Sequence, residues 1–463
     1  MNWLLERFGE HPDTIAFIHN DRKVTYGEVV ALVDGFSRRA QEAGVRPGHK
    51  VVVVGDFSPE VVCLILALGL DRCIVIPLTR ESVIEQDVAL GVSGADWIAE
   101  FDPAGREFSL SEKQVPVENA LLSQFLAKEK AGLILFSSGS TGAPKGILHD
   151  FEQVAEKFRV QRAPMVTIPF LMIDHFGGIN TILAITSSLG TVVTVDDRSI
   201  AKVAAAIERY KVELLPVTPS FLNIMLMVRA HEEFDMSSIK RITYGTEVMP
   251  QVTLDRLRAA FPGVQLQQTY GLSEVGVLRS QSRPDGSLWL RVGGEGFRTE
   301  VRDGVLWIKS SYRMEGYLNA ASGFDEEGWF NTQDRVEVDG EWLRILGRVT
   351  DIINVGGQKV YPVEVEEVIL GIDNVEDVVV LAEPHKILGQ VVTAKIRVRE
   401  PETVESLKLR VRLACKAVLA PYKAPSKIII TDEPLNSVRQ KKIRSTAGRS
   451  KPTPSGTDSD QAD

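Results

Sequence analysis

The chain has 463 residues, 44% of them hydrophobic and 25% charged, with a formal net charge of −9. This is the composition of a well-cored globular enzyme of more than one domain, and the acidic balance without a dense basic patch excludes a nucleic-acid binder. Cys63, Cys73 and Cys415 show no metal or redox spacing, Met1 leads into NWLLERFGEHPD without an apolar leader, and the longest uncharged run, His175 to Val195, is broken by glycines and polar residues; a cytoplasmic protein with reduced core thiols and no membrane span is expected.

Lys23 to Tyr26 reads as a strand leading into a helix that continues to Ala43 and stops near Gly44. Val51 to Val54 is a strand buried on both faces. A helix follows over Ser58 to Leu70, then a strand over Ile74 to Pro77. Strand, helix, strand in this order makes a βαβ unit and an α/β class. Further strands are expected at Asp96–Ala99, Leu133–Phe136, Glu213–Val217 and Ile239–Tyr244, with helices at Ile200–Tyr210, Phe221–His231 and Thr253–Phe261.

From Leu288 the texture changes to short alternating strands, at 288–291, 305–309, 335–338 and 342–346, which marks a β-rich subdomain. After the polar turn Gly347 to Asp351 comes a compact α+β unit: helices at 362–370 and 404–418, strands at 375–382, 391–398 and 428–431. The expected organisation is a large N-terminal domain over 1–346, a hinge at 347–350, a small mobile C-terminal domain over 351–449 and a disordered polar tail over 450–463.

Leu133 to Gly146 reads LILFSSGSTGAPKG. A buried strand opening into hydroxyls, glycines and one lysine suits a phosphate chain, because small residues let backbone N–H groups approach the oxygens. It is not a Walker loop. Pro144 precedes Lys145 and Gly146 follows it, so the magnesium-binding hydroxyl after the lysine is missing. A P-loop kinase or ATPase is weakened accordingly.

Further along stand QTYGLSE (268–274), GYLN (316–319), GWFNTQD (328–334), LGRVTDIINVGGQKVYPVEVEEVI (346–369) and RQKKIRS (439–445). Taken in order with SSGSTGAPKG, this set resembles the adenylate-forming superfamily of acyl- and aryl-CoA synthetases, luciferases and nonribosomal peptide synthetase adenylation domains. The resemblance covers nearly the whole chain, from VTYGEV to APYKAP. It implies ATP-dependent activation of a small carboxylic acid to an acyl-AMP, with Mg2+, followed by acyl transfer to CoA or to the phosphopantetheine of an acyl carrier protein.

Residue by residue, the resemblance gives Ser137, Ser138, Gly139, Ser140, Thr141, Gly142 and Lys145 to the β- and γ-phosphates of ATP. It gives Gly245, Thr246 and Glu247 to the adenine floor, Tyr270 with Gly271 and Ser273 to adenine stacking, and Asp334 with Arg348 to the ribose. Glu274 is the expected magnesium ligand, since that ion needs only one or two carboxylates beside phosphate oxygens. The charge-stabilising lysine is Lys441, or failing that Lys442; the motif departs from the pattern because Gln440 stands where a glycine is usual. Thr350 and Asp351 fall at the hinge, and Gly356 and Gly357 on the path of the thiol arm.

For the acid, His175 and Gly178 fit an H-x-x-G form seen in acyl- and aryl-CoA synthetases. Asp174, Phe176, Tyr244 and Val275 complete the expected pocket, and an aryl or medium acyl acid is the reading. Two alternatives stay open. Asp174 keeps a stand-alone amino-acid adenylation protein in view, and the irregular lysine motif a catalytically degenerate AMP-binding module.

Overall fold

The valines of Lys50–Val54 alternate between two cores: Val51 and Val53 belong to one, Val52 and Val54 to another. The computed structural model describes residues 1–82, 84–138, 144–436 and 442, and divides into two compact units, one over Met1–Thr350 and one beginning at Asp351.

In the first unit, Lys50–Val54 lies near the middle of a seven-stranded sheet. Its order is Gly316–Tyr317, Pro144–Asp150, Gly132–Ser138, Ile74–Leu78, Lys50–Val54, Trp97–Phe101, Phe108–Glu112. The inner strands from Gly132–Ser138 to Trp97–Phe101 are parallel, and the outer ones antiparallel. A second seven-stranded sheet runs Gln265–Gln268, Arg241–Tyr244, Leu214–Val217, Val166–Thr167, Thr191–Thr194, Ile15–His19, Arg22–Thr25, parallel except at the last strand.

Helices Pro59–Leu70 and Phe176–Ser187 share one core with Val51 and Val53 of the first sheet and Phe17 and Val192 of the second. Pro59 to Gly69 is buried without a break, as a helix covered on every side must be. Each buried Val, Leu or Ile there contributes about 1.5–3 kcal/mol. Helices Ile200–Tyr210, Pro219–Met227 and Gln251–Ala260 cover the outer face of the second sheet. A six-stranded antiparallel sheet, from Arg279–Ser282 to Phe297–Arg302, forms the expected β-rich part.

Local chemistry sets the element ends. Thr25 and Glu28 form a capping box: the Glu28 N–H donates to Thr25 Oγ1 at 3.2 Å and the Thr25 N–H to Glu28 Oε2 at 2.7 Å. Gly44, at φ +108°, ends that helix. The single helix expected over Phe221–His231 is instead Pro219–Met227 and a short turn Ala230–Glu233. Arg229 between them adopts φ +55°, which no helix accommodates.

The phosphate-loop segment lies between antiparallel strands. Gly132–Ser138 pairs with Pro144–Asp150 down to the rung Ser138–Pro144. No helix starts directly after the loop, so it lacks the helix terminus on which a Walker loop relies.

The second unit is a five-stranded sheet with helices Pro362–Leu370 and Val404–Val418. Its hairpin Ile353–Val355 to Gln358–Val360 turns at Gly356 and Gly357, at φ +57° and +86°. Two successive positive φ values are what a tight hairpin of this kind demands, so both glycines have a conformational cause. The expected tail, 450–463, lies outside the described residues. Among the described residues no helix is long and apolar enough to cross a membrane.

Candidate active site

A cleft of about 710 Å³ opens in the first unit. Ser137 lies near the carboxyl end of strand Gly132–Ser138, Thr246 follows Arg241–Tyr244, and Thr269 to Glu274 follows Gln265–Gln268; all of these residues line it. Ligands of open α/β sheets bind at these carboxyl ends. Gly245 makes the crowding possible: a Cβ there would lie 2.4 Å from Thr269 Oγ1 and 2.8 Å from Thr269 O.

The two residues assigned to the nucleoside are joined directly. Tyr270 Oη donates to Asp334 Oδ2 at 2.5 Å, and Arg348 Nε lies 3.5 Å from Asp334 Oδ1. Asp334 and Arg348 are rung partners on adjacent strands, Phe330–Asp339 and Trp342–Arg348. Burial, then the Asp334 charge, pushes the Tyr270 phenol far above its ordinary value, so it stays a donor. Arg348 and Thr350 both line the cleft.

The acidic corner is built by Glu274 and Tyr317. Tyr317 Oη donates to Glu274 Oε1 at 2.7 Å, and Lys145 Nζ sits 5.1 Å from the centre of the same ring. Burial first, and Glu274 second, raise the Tyr317 phenol. Lys145 itself is placed by its neighbours. Asn319 Nδ2 donates to Pro144 O at 2.8 Å, and the Gly146 N–H donates to Asn319 Oδ1 at 3.0 Å, so one side chain clamps both flanks of the lysine. Gly139, Ser140, Thr141 and Gly142 lie outside the described residues.

His175 caps helix Phe176–Ser187, its Nδ1 accepting from the Gly177 N–H at 3.0 Å. The ring and the neighbouring Phe176 form part of the cleft wall. Gly178 answers to packing: a Cβ there would lie 2.0 Å from Met172 O. Behind Phe176, at 5.0 Å between ring centres, stands His149, fully buried with neither ring nitrogen hydrogen-bonded. Burial lowers its pKa to about 3.

Several expected residues are elsewhere. Asp174 is 2% exposed and outside the cleft wall; its Oδ2 accepts from Ser82 Oγ at 3.0 Å and Thr79 Oγ1 at 3.4 Å. Tyr244 and Val275 are core residues, 1% and 0% exposed. Gly276 breaks the alternation after Val275, at φ +88°, and Val277 is the residue that reaches the wall. Glu247 turns to helix Pro219–Met227, accepting from Ser220 Oγ at 2.6 Å, and does not line the cleft.

Lys442 is committed within the second unit. Its Nζ donates to Val378 O at 2.8 Å and lies 3.3 Å from Glu366 Oε2 and 3.8 Å from Asp377 Oδ1. Glu366 and Asp377 are 1% and 4% exposed. An ammonium between two buried carboxylates is the setting of a structural ion pair; Lys442 is the alternative that the sequence offers for the catalytic lysine. Lys441 lies outside the described residues.

The AMP-binding enzyme model matches residues 4–86 and 79–318, and the AMP-binding enzyme C-terminal domain model matches residues 364–442. The chain belongs to the AMP-binding enzyme family. Among relatives of this AMP-binding enzyme is the long-chain-fatty-acid–CoA ligase FadD13 of Mycobacterium tuberculosis, 26% identical over 93% of this chain and 94% of that one. The 2-succinylbenzoate–CoA ligase of Bacillus subtilis is 25% identical, with 96% of each chain covered. Two solved structures share the fold. The anthranilate CoA ligase AuaEII, in complex with anthranoyl-AMP, has a TM-score of 0.80 at 20% identity, covering 95% of this chain and 94% of that one. ATP-bound MatB of Rhodopseudomonas palustris has 0.79 at 21% identity, covering 95% and 96%. The expected family and α/β architecture are both met.

Residues missed by sequence reasoning share one trait: their importance lies in a partner distant along the chain. Tyr317 and Asn319 stood inside a noted motif, yet their bonds to Glu274 and to the flanks of Lys145 could not be read from it.

Proposed function

We propose that this AMP-binding enzyme activates a carboxylic acid with ATP and passes the acyl group to a thiol. The observation that carries the reading is the convergence on one cleft of Lys145, Tyr270 bonded to Asp334, Glu274 bonded to Tyr317, and His175. The CoA-ligase names of the relatives support it.

In the first step a carboxylate oxygen of the acid forms a bond to the α-phosphorus of ATP, and pyrophosphate leaves. Both reactants are anions, so the protein must align them and supply positive charge. Lys145 and Ser137 hold phosphate oxygens. Tyr270 and Thr246 hold the base, and Asp334 with Arg348 the ribose. Glu274 fits Mg2+: it offers a carboxylate at the cleft wall, and among the described residues no cluster of acids, His or Cys forms a complete metal cage, which suits an ion that takes most of its ligands from phosphate and water. When bound, Mg2+ neutralises phosphate charge.

Lys441 is the lysine we assign to the transferring phosphoryl group, because Lys442 is held by Glu366 and Asp377. In the second step the thiol sulfur attacks the acyl carbon and AMP leaves. Gly356 and Gly357 line the thiol's approach, and Thr350–Asp351 acts as the hinge between steps. CoA is the acceptor we favour over a carrier protein, and an aryl or medium acyl acid the substrate, in the cytoplasm. Asp174, occupied by Ser82 and Thr79, gives no support to an amino-acid substrate.

The test is acid-dependent exchange of labelled pyrophosphate into ATP, followed by AMP formation with CoA or a pantetheinylated carrier protein. Release of ADP, or exchange driven only by amino acids, sinks this reading.

A further inference from the structure

Lys157, which the proposed reaction does not use, is hydrogen-bonded to a residue of the cleft wall. Lys157 Nζ donates to Asn180 Oδ1 at 3.1 Å and to Val277 O. Val277 and Phe176 belong to the cleft wall. Asn180 stands four residues beyond Phe176, on the same helix face and about 6 Å further along. The ammonium is flanked by aromatic rings, with the ring centres of Phe158 at 5.3 Å and Phe297 at 5.9 Å from Nζ.

The charge around this lysine is one-sided. Arg162 and Arg279 both lie within electrostatic reach of Lys157, and Arg241 within reach of Arg162. Among the described residues none of the four forms an ion pair with a carboxylate. Burial first, then the two arginines, lower the Lys157 pKa to about 7. Arrays of cations are normally balanced by acids. Among the described residues no carboxylate balances this one, so an incoming oxyanion would both hold the lysine charged and relieve the repulsion.

We propose that Lys157, with Arg162 and Arg279 at its outer side, binds the second carboxylate of a dicarboxylic substrate. The inference rests on the acid-activating reading and names the substrate class within it. The reacting carboxylate lies toward His175, and the distal one reaches Lys157. The spacing along the helix suits acids of about five to eight carbons between and including the two carboxyl groups.

The other source of oxyanions is CoA, whose phosphates could be drawn to the exposed Arg162 and Arg279. Pyrophosphate exchange without CoA separates the two. The experiment compares α,ω-dicarboxylates of four to ten carbons with monocarboxylates of equal length, in wild-type enzyme and in Lys157→Met, Lys157→Arg and the double variant Arg162→Met/Arg279→Met. The wild type is expected to prefer a dicarboxylate. Lys157→Met should lower the dicarboxylate-to-monocarboxylate ratio of kcat/KM by about 10- to 100-fold, the loss of a hydrogen bond to a charged group. Lys157→Arg should restore part of that ratio. If Lys157→Met does not fold, the double variant carries the test, with a fall of at least about 5-fold expected.

A wild type that exchanges only with monocarboxylates overturns this inference and leaves the proposed function standing. An equal loss for both acids, or a defect confined to the CoA step, overturns it as well. No exchange with any acid overturns both.

Discussion

Tyr270 and Asp334, 64 positions apart in the chain, share a hydrogen bond of 2.5 Å from the phenol to the carboxylate. Each therefore holds the other, and both are assigned to the nucleoside in the proposed mechanism. Tyr270→Phe is expected to raise the KM for ATP about 10-fold, and Asp334→Asn by a similar or larger factor. Because the two act on one bond, the double variant should fall short of the product of the single effects. Full additivity in pyrophosphate exchange would show that the bond does not organise the site.

Glu274 and Tyr317 make a second hydrogen-bonded pair, beside Lys145. Glu274→Gln keeps the shape and removes the charge. We expect it to raise the half-saturating Mg2+ concentration about 10-fold or more, and Tyr317→Phe by about 3-fold. A magnesium titration of the exchange reaction reads both.

Lys441 and Lys442 are adjacent and should separate cleanly. Lys442→Met leaves Glu366 and Asp377 buried without their cation, a change that costs about 3–5 kcal/mol. It should lower the melting temperature of the protein. Lys441→Ala should leave the melting temperature in place and reduce exchange about a hundred- to a thousand-fold. Thermal unfolding followed alongside exchange would reverse the assignment if the two phenotypes were swapped.

His149 introduces a pH dependence of stability. In the folded chain its pKa is about 3, against 6.5 for the free side chain. Between those values the unfolded chain binds the extra proton and the folded chain does not. Its contribution is therefore fully present above about 6.5 and is lost as pH falls toward 3. Replacing His149 by Phe should flatten the acid side of the stability profile in denaturant titrations. An identical profile would place the acid sensitivity elsewhere.

Asp174→Asn tests selectivity. The carboxylate is shared by Ser82 and Thr79 away from the cleft wall, so we expect lower stability and an unaltered order of preference among acids. A switch in that order would return Asp174 to the substrate.

Much of the fold was legible because its signals are local. Four consecutive valines can only be a doubly covered strand, and Thr25, Glu28 and Gly44 carry the ends of a helix in their side chains. The residues assigned to the nucleotide came from ordered motifs, and the cleft brings together Ser137, Lys145, Thr246, Tyr270, Ser273, Glu274 and Arg348. The acid pocket was not. Val275 and Val277 differ by two positions, and only the glycine between them, at φ +88°, decides which one faces the cleft. Tyr244 and Asp174 lie off the cleft wall for a related reason: a polar side chain that looks functional in isolation is bonded in the core by a residue far away, Ser282 in one case and Ser82 in the other. Lys157 carried no signal, since a single lysine at a helix end reads as solvated until its neighbours are known.

The strand that follows the phosphate loop has a consequence for turnover. Pro144–Asp150 runs antiparallel to Gly132–Ser138, so no helix terminus directly follows the loop to grip the departing anion. In the proposed mechanism retention rests on Ser137 and the half-buried Lys145, and such attraction weakens as ionic strength rises. Product inhibition by pyrophosphate should therefore be modest and salt-sensitive, leaving the first step readily reversible until a thiol arrives to consume the adenylate.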